Sequence, residues 1–144
     1  MFIKSLQILK ENVILRNIDF KYGLNFIVDE TISGNNTTGN SVGKTTVIKL
    51  IDFCLGANQK IIYTDDENKK KEYQLVKDFL INNDILIKAI FCESLDSDNV
   101  KNVIVERNFL SRKQAIRRVN GEDILEKDFT NKLSLELFGM PDLG

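Results

Sequence analysis

A short stretch in the first third of the chain combines glycines, a lysine and threonine hydroxyls in an order typical of phosphate-binding loops. Its residues are Gly39, Asn40, Ser41, Val42, Gly43, Lys44, Thr45 and Thr46. Glycines let a loop turn tightly enough to aim backbone N–H groups at an anion, and a helix behind the loop adds the positive end of its dipole. We predict that the backbone of 39–46 cradles phosphates, that Lys44 contacts the β and γ phosphates, and that Thr45 ligates Mg²⁺.

The stretch departs at one position from the usual pattern G-x-x-x-x-G-K-[ST]. Thr38 stands where the first glycine is expected, and Gly39 follows one residue late. Residues 29–38 are polar and turn-rich, and we expect this insertion to redirect the backbone so that the first glycine is not needed. An ordinary amphipathic helix behind a glycine turn would explain the helix that follows, but not the run from Gly43 to Thr46 at its start.

The composition is that of one globular domain, which we assign to residues 1–144. Hydrophobic residues make up 42% of the chain and charged residues 28%, which is usual for a soluble protein. The net charge of −1 gives no overall attraction to nucleic acid. The chain contains no histidine, which excludes histidine general bases, histidine-dependent nucleophiles and histidine metal ligands within it.

The cysteines and the apolar runs bear on the compartment. Cys54 and Cys92 lie in apolar surroundings and form no C-x-x-C pattern, so we predict two reduced cysteines in the core. The start of the chain does not resemble a signal peptide, and no apolar run approaches the length that spans a membrane. We therefore expect a cytoplasmic protein without membrane contact.

Strand patterns lie on both sides of the phosphate-binding stretch. Alternation, β-branched residues and turn dipeptides predict extended segments at 2–9, 13–15, 18–20, 24–28, 60–63, 85–91, 103–109 and 115–119. We expect 85–91 and 103–109 to form an antiparallel hairpin. Apolar spacing predicts a short helix at about 75–80 and a longer one at 125–138.

Two of the predicted helices have a regular apolar face. Behind the phosphate-binding stretch, helical spacing relates Val47, Leu50, Ile51, Cys54 and Leu55, and Gly56 suits the position after a helix end. In the last helix one stripe contains Leu125, Phe129, Leu133 and Leu137. We expect the first helix to be buried along this face, and the last to pack against the sheet or against something outside this chain.

Basic residues form two clusters without a clear ligand. Lys69-Lys70-Lys71 lies beside three acidic residues, which is weak support for DNA binding. Around the last strands lie Arg107, Arg112, Lys113, Arg117 and Arg118. Neighbours on a strand face opposite sides, so Arg117 and Arg118 do not form one patch, and we interpret this cluster as ordinary sheet-surface charge.

The order of these motifs resembles the N-terminal lobe of ABC-type ATPases of the SMC, RecN and RecF kind. Tyr22 to Val28 looks like the family's strand into the P-loop, and Asn40 to Thr46 looks like its N-G-x-G-K-[ST] core with Ser41 in place of a glycine. Ile51 to Gly56 is similar to its I-x-F-x-L-G helix end. Further similarity lies in 105–107, 116–121 and 129–139, and the whole looks most like a poorly characterised bacterial branch.

This resemblance implies an α/β fold, the N-terminal half-domain of a P-loop NTPase. It implies a mixed sheet with an antiparallel part around the P-loop helix. It also implies ATP and Mg²⁺ as ligands, a C-terminal lobe that completes the ATPase, and a second head with which the first dimerises around ATP. DNA is a possible further partner that the charge does not support.

The residues that complete ATP hydrolysis in this family have no match here. Asp29-Glu30 has the form of a Walker B strand end but precedes the P-loop, and Ile32 to Asn36 is a poor signature loop in the wrong place. No glutamine follows Gln114 and no histidine is present. We therefore identify no catalytic residue and expect this chain to bind Mg-ATP without turnover unless another lobe joins it.

Two alternatives remain. The chain could be a non-catalytic interaction or regulatory module with a degenerate P-loop, which Thr38 and the insertion at 29–38 favour. A kinase or GTPase is a more distant alternative, because Asn131 to Ser134 ends in serine where guanine recognition requires aspartate.

Overall fold

The computed structural model describes residues 1–21, 39–65, 67–68, 70–96 and 100–139, with the side chains of the first helix described from Thr46 onward. Within these residues the chain is a mixed α/β protein with a six-stranded sheet. The strands are β1 (Phe2–Lys10), β2 (Val13–Asp19), β3 (Leu86–Cys92), β4 (Asn102–Asn108), β5 (Arg117–Val119) and β6 (Glu122–Asp123). The helices are α1 (Gly39–Cys54), α2 (Lys60–Tyr63), α3 (Gln74–Asn82) and α4 (Glu126–Phe138), with a 3₁₀ turn at Arg112–Gln114.

The sheet has the order β2-β1-β3-β4-β5-β6, and every neighbouring pair is antiparallel. Tight turns join β1 to β2 at Glu11-Asn12 and β5 to β6 at Asn120-Gly121, all four residues having positive φ, and strands joined this way can only pair antiparallel. The expected mixed sheet is therefore corrected to an antiparallel one for the described residues. The strand predicted at 24–28 lies outside them.

Most predicted elements are confirmed with shifted ends. The hairpin of β3 and β4 pairs Leu86 with Asn108 through Cys92 with Asn102. The short helix before it and the long helix after it are both present. The two extended pieces after β1 form the single strand β2, in which Arg16 and Asn17 continue the pairing with β1.

The strand predicted at 60–63 is wrong, because this segment is the single helical turn α2. Its start is held by the Asn58 side chain, whose Oδ1 accepts from the Lys60 amide at 2.9 Å. The adjacent side chains of Ile62 and Tyr63 are both buried. A strand would turn two neighbouring side chains to opposite faces, whereas a helical turn buries both on one side.

One face of the sheet forms the core with α1 and α4. From the strands it receives Leu6, Ile87, Ala89, Val103, Val105 and Val119, all fully buried. From α4 it receives Phe129, Leu133 and Leu137, so α4 packs against the sheet. Leu125, predicted in the same stripe, precedes α4 as its N-cap residue and is 63% exposed. No helix within the described ranges is long and apolar enough to cross a membrane.

The buried face of α1 is rotated from the predicted one. Val47, Leu50 and Cys54 are buried as predicted, but the fully buried residue beside them is Phe53, while Leu55 is 39% exposed. At about 100° per residue, Phe53 lies about 60° from Leu50 around the helix and Leu55 about 140° away. The ring of Phe53 stacks on Phe109, with 4.6 Å between the ring centroids.

Candidate functional site

The predicted nucleotide-binding residues form the first two turns of α1. The helix runs for 16 residues from Gly39 to Cys54, so the whole stretch from Gly39 to Thr46 has a helical backbone. Thr46 is exposed, and the side chains of 39–45 lie outside the described residues. The structure therefore brings these residues together at one end of a helix about 24 Å long.

The start of α1 at Gly39 is too early for residues 39–43 to form a loop that precedes the helix. In an α-helix, each amide after the first turn donates to the carbonyl four residues earlier, and only the first-turn amides remain available to an anion. With α1 starting at Gly39, the available amides belong to its first turn, whereas Lys44 comes after it. The predicted loop is corrected to a helix start here, and the run contains no proline that would interrupt a helix.

The far end of α1 is tied to the sheet by Arg107 of β4. One guanidinium nitrogen, Nη1, donates to the carbonyl of Phe53 and, at 2.9 Å, to the carbonyl of Ala57. The guanidinium carbon lies 4.1 Å from the centroid of the Phe53 ring. The last carbonyls of a helix lack intrahelical partners and carry partial negative charge, so a cation is stabilised there. This arrangement, which we call the Arg107 clasp, fixes the direction of the helix that begins with 39–46.

Burial is the main reason why the pKa of Arg107 is lowered from its usual value to about 10, and the charge of Arg117 lowers it further. Arg107 is therefore still protonated at neutral pH and donates charged hydrogen bonds. The interpretation of the arginine cluster as surface charge is wrong for this residue. Alternation with Val103 and Val105 was the available signal, because it gives Arg107 the same inward face as those two valines.

The prediction that Arg117 and Arg118 face opposite sides of the sheet is confirmed by the register. Arg117 lies opposite Arg107, on the inner face, and Arg118 lies opposite Glu106, on the outer face. The outer pair is a loose ion pair, with 4.0 Å between Arg118 Nε and Glu106. Of these two neighbours on β5, Arg117 is the one that faces the side of the sheet on which the end of α1 packs.

Both cysteines are free and buried, as predicted. Burial raises the pKa of the Cys54 thiol to about 12, although Arg107 acts weakly in the opposite direction. A thiol with this pKa is almost entirely protonated at neutral pH, and the thiolate is the nucleophilic form. Cys54 is therefore a packing residue of α1.

Acidic residues do not assemble into a metal site in the part of the chain that the structure describes. No group of three or more carboxylate or cysteine side chains there could hold a metal ion. Asp29, Glu30 and the stretch from Ile32 to Asn36 lie outside the described residues. The predicted magnesium ligand, Thr45, has no described side chain, so its role stays a prediction.

Comparison with protein-family models, with curated proteins and with solved structures finds no match. The resemblance to SMC-like ATPase lobes therefore depends on the quoted sequence motifs alone.

Proposed function

We propose that this chain binds Mg-ATP at the N-terminal end of α1, as the P-loop half of an ATPase head of the SMC-like ABC type. The observation that carries the proposal is the run Gly43-Lys44-Thr45-Thr46 within the first two turns of a helix with a fixed axis. Lys44 supplies charge to the β and γ phosphates, and Thr45 supplies a hydroxyl to Mg²⁺. The amides of the first turn and the helix dipole add to the attraction.

The anchoring of α1 supports this proposal. Phosphoryl-transfer sites depend mainly on positioning and charge neutralisation, so the helix that holds the phosphates must keep its direction. Leu50, Phe53 and Cys54 bury one side of α1 against the sheet, and the Arg107 clasp holds its end. A binding element on such a support loses little conformational entropy when a nucleotide arrives.

Hydrolysis requires further residues, and the family motifs that carry them have no match in this sequence. In the proposed arrangement a C-terminal lobe supplies the carboxylates that bind Mg²⁺ and activate water, and a second head closes over the nucleotide. The chain by itself then binds Mg-ATP with negligible turnover. Both partners belong to the proposal.

Calorimetric titration of the purified chain with ATP, with and without Mg²⁺, tests the binding. We expect Lys44→Ala to weaken binding at least about tenfold, because a charge-assisted contact to phosphate contributes more than 1.4 kcal/mol. Lys49→Ala, which removes a lysine further along the same helix, should bind as the wild type does. Thr45→Ala should abolish the gain in affinity that Mg²⁺ confers.

Absence of any heat or thermal shift with Mg-ATP, with Lys44→Ala identical to the wild type, would refute the nucleotide assignment. Substantial ATP hydrolysis by the isolated chain, abolished by Lys44→Ala, would instead refute the requirement for a second lobe. These results are distinguishable in a single preparation that is assayed for both binding and phosphate release.

Two observations favour the second candidate, a non-catalytic interaction module. A helix that begins at Gly39 leaves fewer amides for a phosphate than a loop would. In addition, α3 presents an apolar surface to solvent, with Leu75 87% exposed beside the exposed Val76 and Phe79. Under this alternative, Leu75→Glu would abolish association with a partner, and ATP would have no effect on it.

A further inference from the structure

A polar cleft of about 420 Å³ opens beyond the C-terminal end of α1. Three segments line it, namely residues 56–60, the connection from Leu110 to Ala115 and the start of α4, together with one arginine each from β4 and β5. With a rise of about 1.5 Å per residue, Lys44 lies about 18 Å along the helix from Gly56. The cleft is therefore separate from the proposed nucleotide site, and its volume falls within the range of small-molecule sites.

The cleft contains an excess of positive charge. The four cations that line it are Lys60, Arg107, Arg112 and Arg117, and the carboxylate is that of Glu126. None of the four cations forms an ion pair with another described residue. The chain as a whole has a net charge of −1, so this concentration of cations is local.

Two of these cations are held beside each other in the sheet. Arg107 and Arg117 are direct partners in the register of β4 and β5, and like charges in this position destabilise a sheet. The charge of Arg117 contributes, after burial, to the lowered pKa of Arg107. An anion between the two guanidinium groups would convert this repulsion into attraction.

The third arginine stands on a strained but well-supported turn. Arg112 has φ +57°, a left-handed conformation that glycine adopts easily and arginine rarely does. The buried side chain of Asn108 fixes the turn by two hydrogen bonds to its backbone. Its amide donates to the Gln114 carbonyl at 2.9 Å, and its oxygen accepts from the Ile116 amide at 2.8 Å. Strain that is maintained in this way is typical of functional positions.

We propose that this cleft binds a small phosphorylated molecule, with Arg112 and Arg117 donating to phosphate oxygens while Arg107 and Lys60 add positive charge. Guanidinium forks match the oxygens of a phosphate, and a phosphate dianion offsets the excess charge better than a single carboxylate does. A nucleic acid is disfavoured, because Glu126 and Asp128 in the first turn of α4 would repel a polymer with regularly spaced phosphates.

Calorimetric titration of the full chain with pyrophosphate, at constant ionic strength and without Mg²⁺, tests the proposal. The double variant Arg112→Gln/Arg117→Gln should bind at least about tenfold more weakly than the wild type. Lys10→Gln/Arg16→Gln, which removes the same charge from β1 and β2, should bind unchanged. All these titrations are made in a Lys44→Ala background, so that pyrophosphate held at the proposed nucleotide site does not contribute.

A second variant distinguishes a loss of binding from a folding defect. Arg112→Gly removes the guanidinium and relieves the left-handed strain, so it should melt no lower than the wild type while binding pyrophosphate more weakly. Unchanged binding in both cleft variants, or no binding at all in the Lys44→Ala background, would overturn the proposal. Succinate that binds as tightly as pyrophosphate would overturn the phosphate assignment. A short single-stranded oligonucleotide that binds more tightly through the same arginines would overturn the small-molecule assignment.

Discussion

Replacing Arg107 with methionine removes the donor that joins β4 to the end of α1, while a flexible apolar side chain still fills the space of the aliphatic stem. The carbonyls of Phe53 and Ala57 then lose their charged donor. Hydrogen bonds to charged groups contribute about 1.5–3 kcal/mol, and the contact of the guanidinium with the Phe53 ring about 0.5–2 kcal/mol. Relief of desolvation and of the repulsion by Arg117 offsets part of this sum. We expect a net loss of about 2 kcal/mol.

Urea denaturation followed by circular dichroism measures this loss. The midpoint should fall without a change of slope, since the native and unfolded surfaces are almost the same, and Tm should fall by roughly 6 °C. Arg118→Met is the matched control, because it changes the same residue type on the outer face of the same sheet. Its ion pair with Glu106 is loose, so its effect should stay within about 0.5 kcal/mol.

The pH dependence gives a second test of the Arg107 clasp. The pKa of Arg107 is about 10 in the folded chain, lower than the usual arginine value that we expect in the unfolded chain. Between these values the unfolded state holds a proton that the folded state has lost, so this group adds stability only as the pH rises above about 10. The difference between wild type and Arg107→Met should therefore be constant from about pH 6 to 9. Equal losses in Arg107→Met and Arg118→Met, or a difference that changes within this window, would refute the reasoning.

Two further predictions concern the buried side of α1. Phe53→Ala should lower the free energy of unfolding by about 3–5 kcal/mol, because it opens a cavity beside Phe109. Leu55→Ala, at an exposed position, should lower it by less than about 1 kcal/mol. Equal losses of the two variants in chemical denaturation would mean that the helix face is wrongly assigned. Cys54, with its pKa raised to about 12, should resist a thiol reagent at pH 8 in the folded chain and react on unfolding. Rapid labelling of the folded chain at Cys54, measured by mass spectrometry, would contradict the burial of this thiol.

Local sequence patterns predicted the structure correctly where the interactions that determine it join residues close together in the chain. Apolar alternation and turn dipeptides predicted the hairpin of β3 and β4, and helical spacing followed by Gly139 predicted the end of α4, where that glycine has φ +68°. They failed at 60–63, where a four-residue apolar run is compatible with a strand or a helical turn. There the side chain of Asn58 and the burial of Ile62 with Tyr63 selected the turn.

The sequence by itself determined the composition of the candidate nucleotide site, since Gly39 to Thr46 are contiguous and their residue types carry the chemistry. Only the tertiary structure decided how that stretch is supported and where the cations meet. Arg107 reaches a carbonyl 54 residues earlier in the chain, and its pairing with Arg117 follows from strand register. Contacts of this kind depend on how helices and strands pack after they form, so no local spacing of residues encodes them.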